Sequence, residues 1–199
     1  MRPARTVMFA ALCVVLSASP AAGAERLDRS AIVVEIADAS IADMLKVDEL
    51  RSLAAIGGSA LMNGRTGVEE ALAKVRVNVR VNVVRDRRAV CWSRGGDLGI
   101  SADEAADLVV ECLAELDTPT LVLVVSRSPS LTTAREGDKL GSVVAAWVDP
   151  NEVVDAEGRL VVPDEEPRAL TSDSTRRAGV VADVDPAATV AEWLDLPYD

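Results

Sequence analysis

Two hydrophobic rhythms run along the chain. Ala31–Ile36 (AIVVEI) and Thr120–Val125 (TLVLVV) are almost unbroken apolar runs, as expected of strands buried on both faces. Ser59–Met62, Ala89–Trp92, Ser142–Val148 and Gly179–Val181 are shorter runs that predict further strands. Val75, Val77, Val79, Val81 and Val83 alternate strictly with Arg76, Asn78, Arg80 and Asn82, which predicts a strand with one wet face at the edge of a sheet. Arg85–Arg88 reads as the charged turn that follows it.

Helical spacing alternates with these runs. Ile41, Met44, Leu45, Leu50, Leu53 and Ala54 predict a helix over Ser40–Ala55, stopped by Gly57-Gly58. A second helix is predicted over Thr66–Val75, where Thr66 and Glu69 have capping-box spacing. The clearest helix is Ser101–Leu116: Ser101 and Glu104 form another capping box, and Ala105, Leu108, Val109, Cys112, Leu113 and Leu116 make one apolar face. Asp185-Pro186 opens a last helix that runs to Leu194, with proline in the first turn, where its missing N–H costs nothing. Arg159–Val162 reads as a hairpin arm after Glu157-Gly158, inside a Pro- and acid-rich surface excursion over Asp149–Pro167. Strands alternating with helices predict an α/β fold: a three-layer sandwich around a mostly parallel central sheet.

Composition narrows the chemistry. The chain has 199 residues, 49% of them hydrophobic but only 3% aromatic, so its core must be built from Val, Leu, Ile and Ala. The formal charge of −11 argues against nucleic acid and anionic membrane surfaces as partners. The chain has no histidine, which removes every imidazole base, every Ser-His-Asp or Cys-His arrangement and every His-ligated zinc site. There is no G-x-x-x-x-G-K-[ST] loop, and Gly95-Gly96-Asp97-Leu98-Gly99 does not match a dinucleotide fingerprint. No EF-hand loop is present.

The N-terminus reads as an address rather than as part of the fold. Arg2 and Arg5 precede an apolar stretch over Thr6–Ala18, and Ala22-Gly23-Ala24 is a small-residue cleavage site. This is the secretory signal pattern, with an apolar core short for a bilayer span; an uncleaved anchor is the alternative, and the one way a membrane enters. Cys13 lies in the middle of the apolar stretch, a poor context for lipidation. Removing 24 residues that hold two arginines and no acid leaves residues 25–199 as a single domain of 175 residues, with 19 Lys+Arg against 32 Asp+Glu, a formal charge of −13. Two cysteines remain, Cys91 and Cys112. In an oxidising compartment they are candidates for a disulfide; the position of Cys112 on an apolar helix face equally suits a buried thiol.

Several segments, in their order, resemble the alkaline phosphatase superfamily, which includes cofactor-independent phosphoglycerate mutases and sulfatases. Large secreted or membrane-anchored bacterial members are the most similar. AIVVEIADAS (Ala31–Ser40) looks like the family's first strand, whose metal-binding aspartate is matched by Asp38. GSALMNGRTG (Gly58–Gly67) looks like the segment that carries the nucleophile at a helix start, and Gly96-Asp97-Leu98 resembles a short motif before a long helix. LVLVVS (Leu121–Ser126) looks like the strand before the second metal cluster. LTSDSTRRAGVVADVDPAATVAEWLDLP (Leu170–Pro197) resembles the closing pattern of a strand, an Asp-x-x-x-Thr helix start and a Leu-rich helix.

The resemblance implies an alkaline phosphatase-like core with Thr66 as the nucleophile equivalent, Asp38 as a metal ligand, and Asn63 and Arg65 on a phosphate oxygen. The relatives' chemistry uses two divalent metals that activate the nucleophile and stabilise the attacking and leaving oxygens. Each of these residues also has an ordinary structural use. Thr66 suits an N-cap, Asp38 a cap for the helix from Ile41 or a solvated loop, and Arg65 a surface charge. Asp183 and Asp185 suit the dipole of the last helix, and Asp173, Ser174, Arg176 and Arg177 form either an anion-binding run or a solvated turn.

Departures from the pattern are as informative as the matches. Ser126-Arg127-Ser128-Pro129 stands where the family has Asp-His, and its other metal-binding histidines have no counterpart. At 175 residues the chain has room for the α/β core but not for a substrate-covering cap. The expectation is a secreted or cell-envelope, non-catalytic alkaline phosphatase-like domain without a cofactor, whose partner is a protein or a small anionic ligand. One alternative is a phosphate or sulfate ester hydrolase with an all-oxygen Mn²⁺, Mg²⁺ or Ca²⁺ site; another is an unrelated secreted α/β interaction module.

Overall fold

The computed structural model describes residues 29–63, 70–76, 90–94, 100–128, 140–161, 165–172, 175 and 178–196, with the backbone alone for residues 37, 38, 63, 93, 94, 127 and 128. The signal pattern, Thr66, Arg65, the charged turn and most of the alternating valine segment lie outside the described residues.

The elements follow in the order β1 (Ser30–Asp38), α1 (Ile41–Met44), α2 (Asp48–Ile56), β2 (Gly58–Asn63), α3 (70–76), β3 (Val90–Arg94), α4 (Ala102–Ala114), β4 (Thr120–Ser128), β5 (Leu140–Val148), α5 (Pro150–Val153), β6 (Val180–Ala182) and α6 (Asp185–Trp193). The six strands form one mixed sheet in the order β3-β1-β4-β5-β2-β6. β1 pairs in parallel with β3 and β4, and β2 in parallel with β6, while β5 runs antiparallel to both β4 and β2. Five strands therefore point one way and β5 alone points back. The C-terminal ends of β1, β2, β3, β4 and β6 share one edge of the sheet.

Side chains alternate across the strands into two cores. On one face Ala31, Val33, Leu121, Leu123, Val125, Val143 and Ala145 pack under α3 and α6, through Ala71, Leu72, Ala187 and Val190. On the other face Ile32, Val34, Ile36, Val122, Val124, Val144 and Ala146 pack under α2 and α4, through Leu50, Leu53, Val109 and Leu113. Burial on both faces explains why β1 and β4 read as continuous apolar runs.

Three sequence expectations change. The single helix over Ser40–Ala55 is two helices, α1 and α2, joined by a turn. Its apolar positions jump five residues from Leu45 to Leu50, a step that no one helical face accommodates, and Val47 starts α2 afresh with extended backbone. Residues 75 and 76 belong to α3 and not to a strand: Val75 is fully buried as the last apolar contact of that helix. Among the described residues, the arm over Arg159–Val162 shows one antiparallel bridge, between Val154 and Leu160, closed by a turn with Gly158 at φ +76°; Val162 lies outside them. The capping box at Ser101 is as predicted, with Ser101 Oγ accepting from Glu104 N–H and the Glu104 carboxylate accepting from Ser101 N–H.

Cys91 on β3 and Cys112 on α4 form a disulfide, with Cα atoms 6.4 Å apart. The bond ties the edge strand to the helix that packs beneath β1.

Candidate functional site

Of the residues with a predicted chemical role, Asp38 and Asn63 are described, and both end strands at the C-terminal edge of the sheet, where open α/β sheets place their sites. Asp38 ends β1 in register with Ser128, and Asn63 ends β2 in register with Leu140 and Ala182. β4 and β5 lie between β1 and β2, so Asp38 and Asn63 are three strand spacings apart, about 14 Å along the edge. Arg65 and Thr66 lie outside the described residues, as do Asp173, Ser174, Arg176 and Arg177.

Ser126 sits at the centre of this edge and is fully buried. Its Oγ accepts a 2.9 Å hydrogen bond from the Ala39 N–H, one residue past Asp38. The hydroxyl thus fixes the path of the chain as it leaves β1. Replacing it with alanine strands a buried backbone donor, which costs about 2 kcal/mol; chemical denaturation of Ser126→Ala against the parent checks this.

The turn after Asp38 has its own cap. Ser40 Oγ accepts from the Asp43 N–H and donates to the Asp43 carboxylate, which in turn accepts from the Ser40 N–H, a complete capping box on α1. Capping α1 is therefore the work of Ser40, and not of Asp38. Lys46 Nζ donates to Asp43 at 2.8 Å, and with Ser40 it holds the Asp43 carboxyl below its ordinary pKa. A serine followed three residues later by an acid is the signal for this cap.

At the end of β6, Asp185 has the structural role its position suggests. Its carboxylate accepts from Ser172 Oγ at 2.5 Å and from the Ala182 N–H at 2.7 Å. The bond to Ser172 pins residues 170–172 against the first turn of α6. Thr175 makes a second anchor there through its hydroxyl to the Val180 carbonyl.

Two features carry no signal in the periodicity. Glu35 is buried, 4% exposed, on the β1 face that also presents Ala31 and Val33 to the α3–α6 core. It accepts from Trp92 Nε1 at 3.2 Å, and the Arg76 guanidinium lies 6.0 Å from the Trp92 ring. The charge inside an apolar strand is the clue to such a buried polar cluster. The other feature is a cleft of about 290 Å³ on the same face of the sheet. Its floor is Leu123, Val143 and Ala145, and α6 and Leu170–Ser172 line its sides. Trp147, 47% exposed, lines one end.

Among the described residues, no group of three His, Cys, Asp or Glu side chains could hold a metal ion. No protein-family model, curated protein or solved structure matches the chain.

Proposed function

We propose that this chain is a secreted, non-catalytic relative of the alkaline phosphatase superfamily. In this reading it keeps the three-layer α/β core, lacks the cap and the two-metal site, and acts by binding. The observation that carries the proposal is Ser126. It opens the Ser126-Arg127-Ser128-Pro129 stretch that stands where the resemblance calls for Asp-His, and its hydroxyl is buried and bonded to the backbone of Ala39. A side chain committed in this way supplies neither the charge nor the exposed lone pairs that a divalent cation requires.

The donor set supports the same conclusion. A two-metal ester hydrolase needs about six ligand groups across two ions, and the resemblance supplies one carboxylate, Asp38. With no histidine in the chain, the remaining ligands would all have to be oxygens gathered by the same edge. Secretion is supported by the N-terminal pattern and by the Cys91–Cys112 disulfide, a bond that persists in oxidising compartments.

Titrating the purified protein with Mn²⁺, Mg²⁺ and Ca²⁺ by calorimetry tests the loss of the metal site. The expected result is no saturable binding at micromolar metal. Saturable binding that Asp38→Asn removes would overturn the proposal.

A further inference from the structure

The cleft beside α6 has the chemistry of a cation site. Asp185, Ala188, Thr189 and Glu192 line it from one face of α6, at helical spacing. The helix is held firmly behind them: Trp193 Nε1 donates to the Ser30 carbonyl at 2.7 Å, and the Arg29 guanidinium stacks 4.6 Å from the Trp193 ring. The floor is aliphatic. Two charged side chains are found among the described lining residues, Asp185 and Glu192, and both are acidic. Asp185 is bonded to Ser172 and to the β6 backbone. Glu192 is exposed, and among the described residues its carboxylate makes no hydrogen bond or ion pair. Trp147, a large apolar side chain left 47% exposed in a chain with three tryptophans, lines the same cleft.

An indole and an uncommitted carboxylate on one apolar cleft select organic ammonium ions. The carboxylate attracts the charge, the indole face stabilises it through its quadrupole, and the aliphatic floor takes up methyl or aryl groups that an inorganic cation lacks. We propose that this cleft binds an organic ammonium ion carrying an apolar group, with Trp147 and Glu192 as the recognising side chains. Its ligand is opposite in charge to the anion that the resemblance implies for Asn63 and Arg65. The cleft gives the binding role proposed above a location but does not rest on the phosphatase ancestry. Ester hydrolysis at the sheet edge would remove that ancestry's non-catalytic reading and leave the cleft untouched.

The test is calorimetric titration of the full protein with benzyltrimethylammonium, benzyl alcohol and 3-phenylpropionate, which pair an aryl group with positive, zero and negative charge. The cation is expected to bind about tenfold more tightly than either competitor. Trp147→Ala is expected to reduce the preference to about threefold and Glu192→Gln to weaken cation binding about threefold, a share in keeping with one exposed ion pair. Both side chains are exposed, so both variants should unfold at the parent's temperature, which thermal denaturation verifies. Competition by phosphatidylcholine vesicles would identify a lipid headgroup as the source of the ammonium, and its absence a free ion. Equal binding of the three probes, preference for the anion, or a cation preference that Trp147→Ala leaves undiminished would overturn the proposal.

Discussion

Gly57→Ala is expected to destabilise the protein by about 3 kcal/mol or more, at the upper end of overpacking substitutions. Gly57 closes α2 just before β2 begins. A methyl group at its Cα would lie 2.1 Å from the Ala145 carbonyl oxygen and 2.6 Å from the Ala146 Cα. Both contacts are with the backbone of β5, an interior strand of the sheet, so neither can rotate away. Relief would require α2 to lift off the strand it covers, loosening the core that includes Leu50, Leu53, Val144 and Ala146. Gly158 provides the contrast. It adopts φ +76° in an exposed turn with nothing within 4 Å of an added Cβ, so Gly158→Ala is expected to cost about 1 kcal/mol, from backbone conformation alone. Urea denaturation of the two variants measures both, and a Gly57→Ala cost equal to that of Gly158→Ala would contradict the close approach of α2 to β5.

Breaking the Cys91–Cys112 bond is expected to cost about 3 kcal/mol, the chain-entropy value for a short closed loop. The cysteines are 21 positions apart, and the bond limits the unfolded chain over that span. It also secures a five-residue edge strand, β3, whose sheet partner among the described residues is β1. Cys112 is 3% exposed within the α4 core, so the substitution should be Cys91→Ser, or reduction of the parent, rather than truncation at Cys112. For a domain of this size the loss corresponds to a fall of roughly 6–12 °C in Tm. Thermal unfolding with and without dithiothreitol reads it directly, with Cys91→Ser as the control that should no longer respond. An unchanged Tm on reduction would contradict the bond's contribution.

The sheet was legible where burial is uniform. β1 and β4 are buried on both faces, so their apolar runs predict them with ends within a few residues. The helices α4 and α6 announce themselves by capping chemistry and Asp-Pro. Direction is a different matter: the β5 run LGSVVAAWV looks the same read parallel or antiparallel. The clue is the connection. Only 11 residues separate Ser128 from Leu140, short for the crossover that a parallel neighbour requires. Val75 misleads because a β-branched residue that ends a helix and one that starts a strand share the same local pattern, and residues 77–83 lie outside the described residues.

The candidate site was legible only as a set of strand ends. The strand register puts Asp38, Asn63 and Ser126 near the same edge of the sheet. What the sequence leaves open is what each side chain does there, because one residue type serves several purposes. Ser126 carries no sign in the sequence of the bond it makes, which its burial and its contact with the Ala39 N–H reveal. Ser40 in turn holds the cap that Asp38 was a candidate for. The cleft beside α6 was invisible, because its lining comes from β4, β5, β6, α6 and Leu170–Ser172, segments far apart in the chain. Trp147 offered the one hint, as the single bulky aromatic in an otherwise small, aliphatic strand.

Turnover decides whether the proposed non-catalytic role holds. The purified protein is assayed on phosphomonoester, phosphodiester and sulfate ester substrates, each with Mn²⁺, Mg²⁺ or Ca²⁺, beside the Thr66→Ala variant. Rates indistinguishable from buffer are expected for both proteins under every condition. Metal-dependent turnover by the parent that Thr66→Ala abolishes would contradict that role.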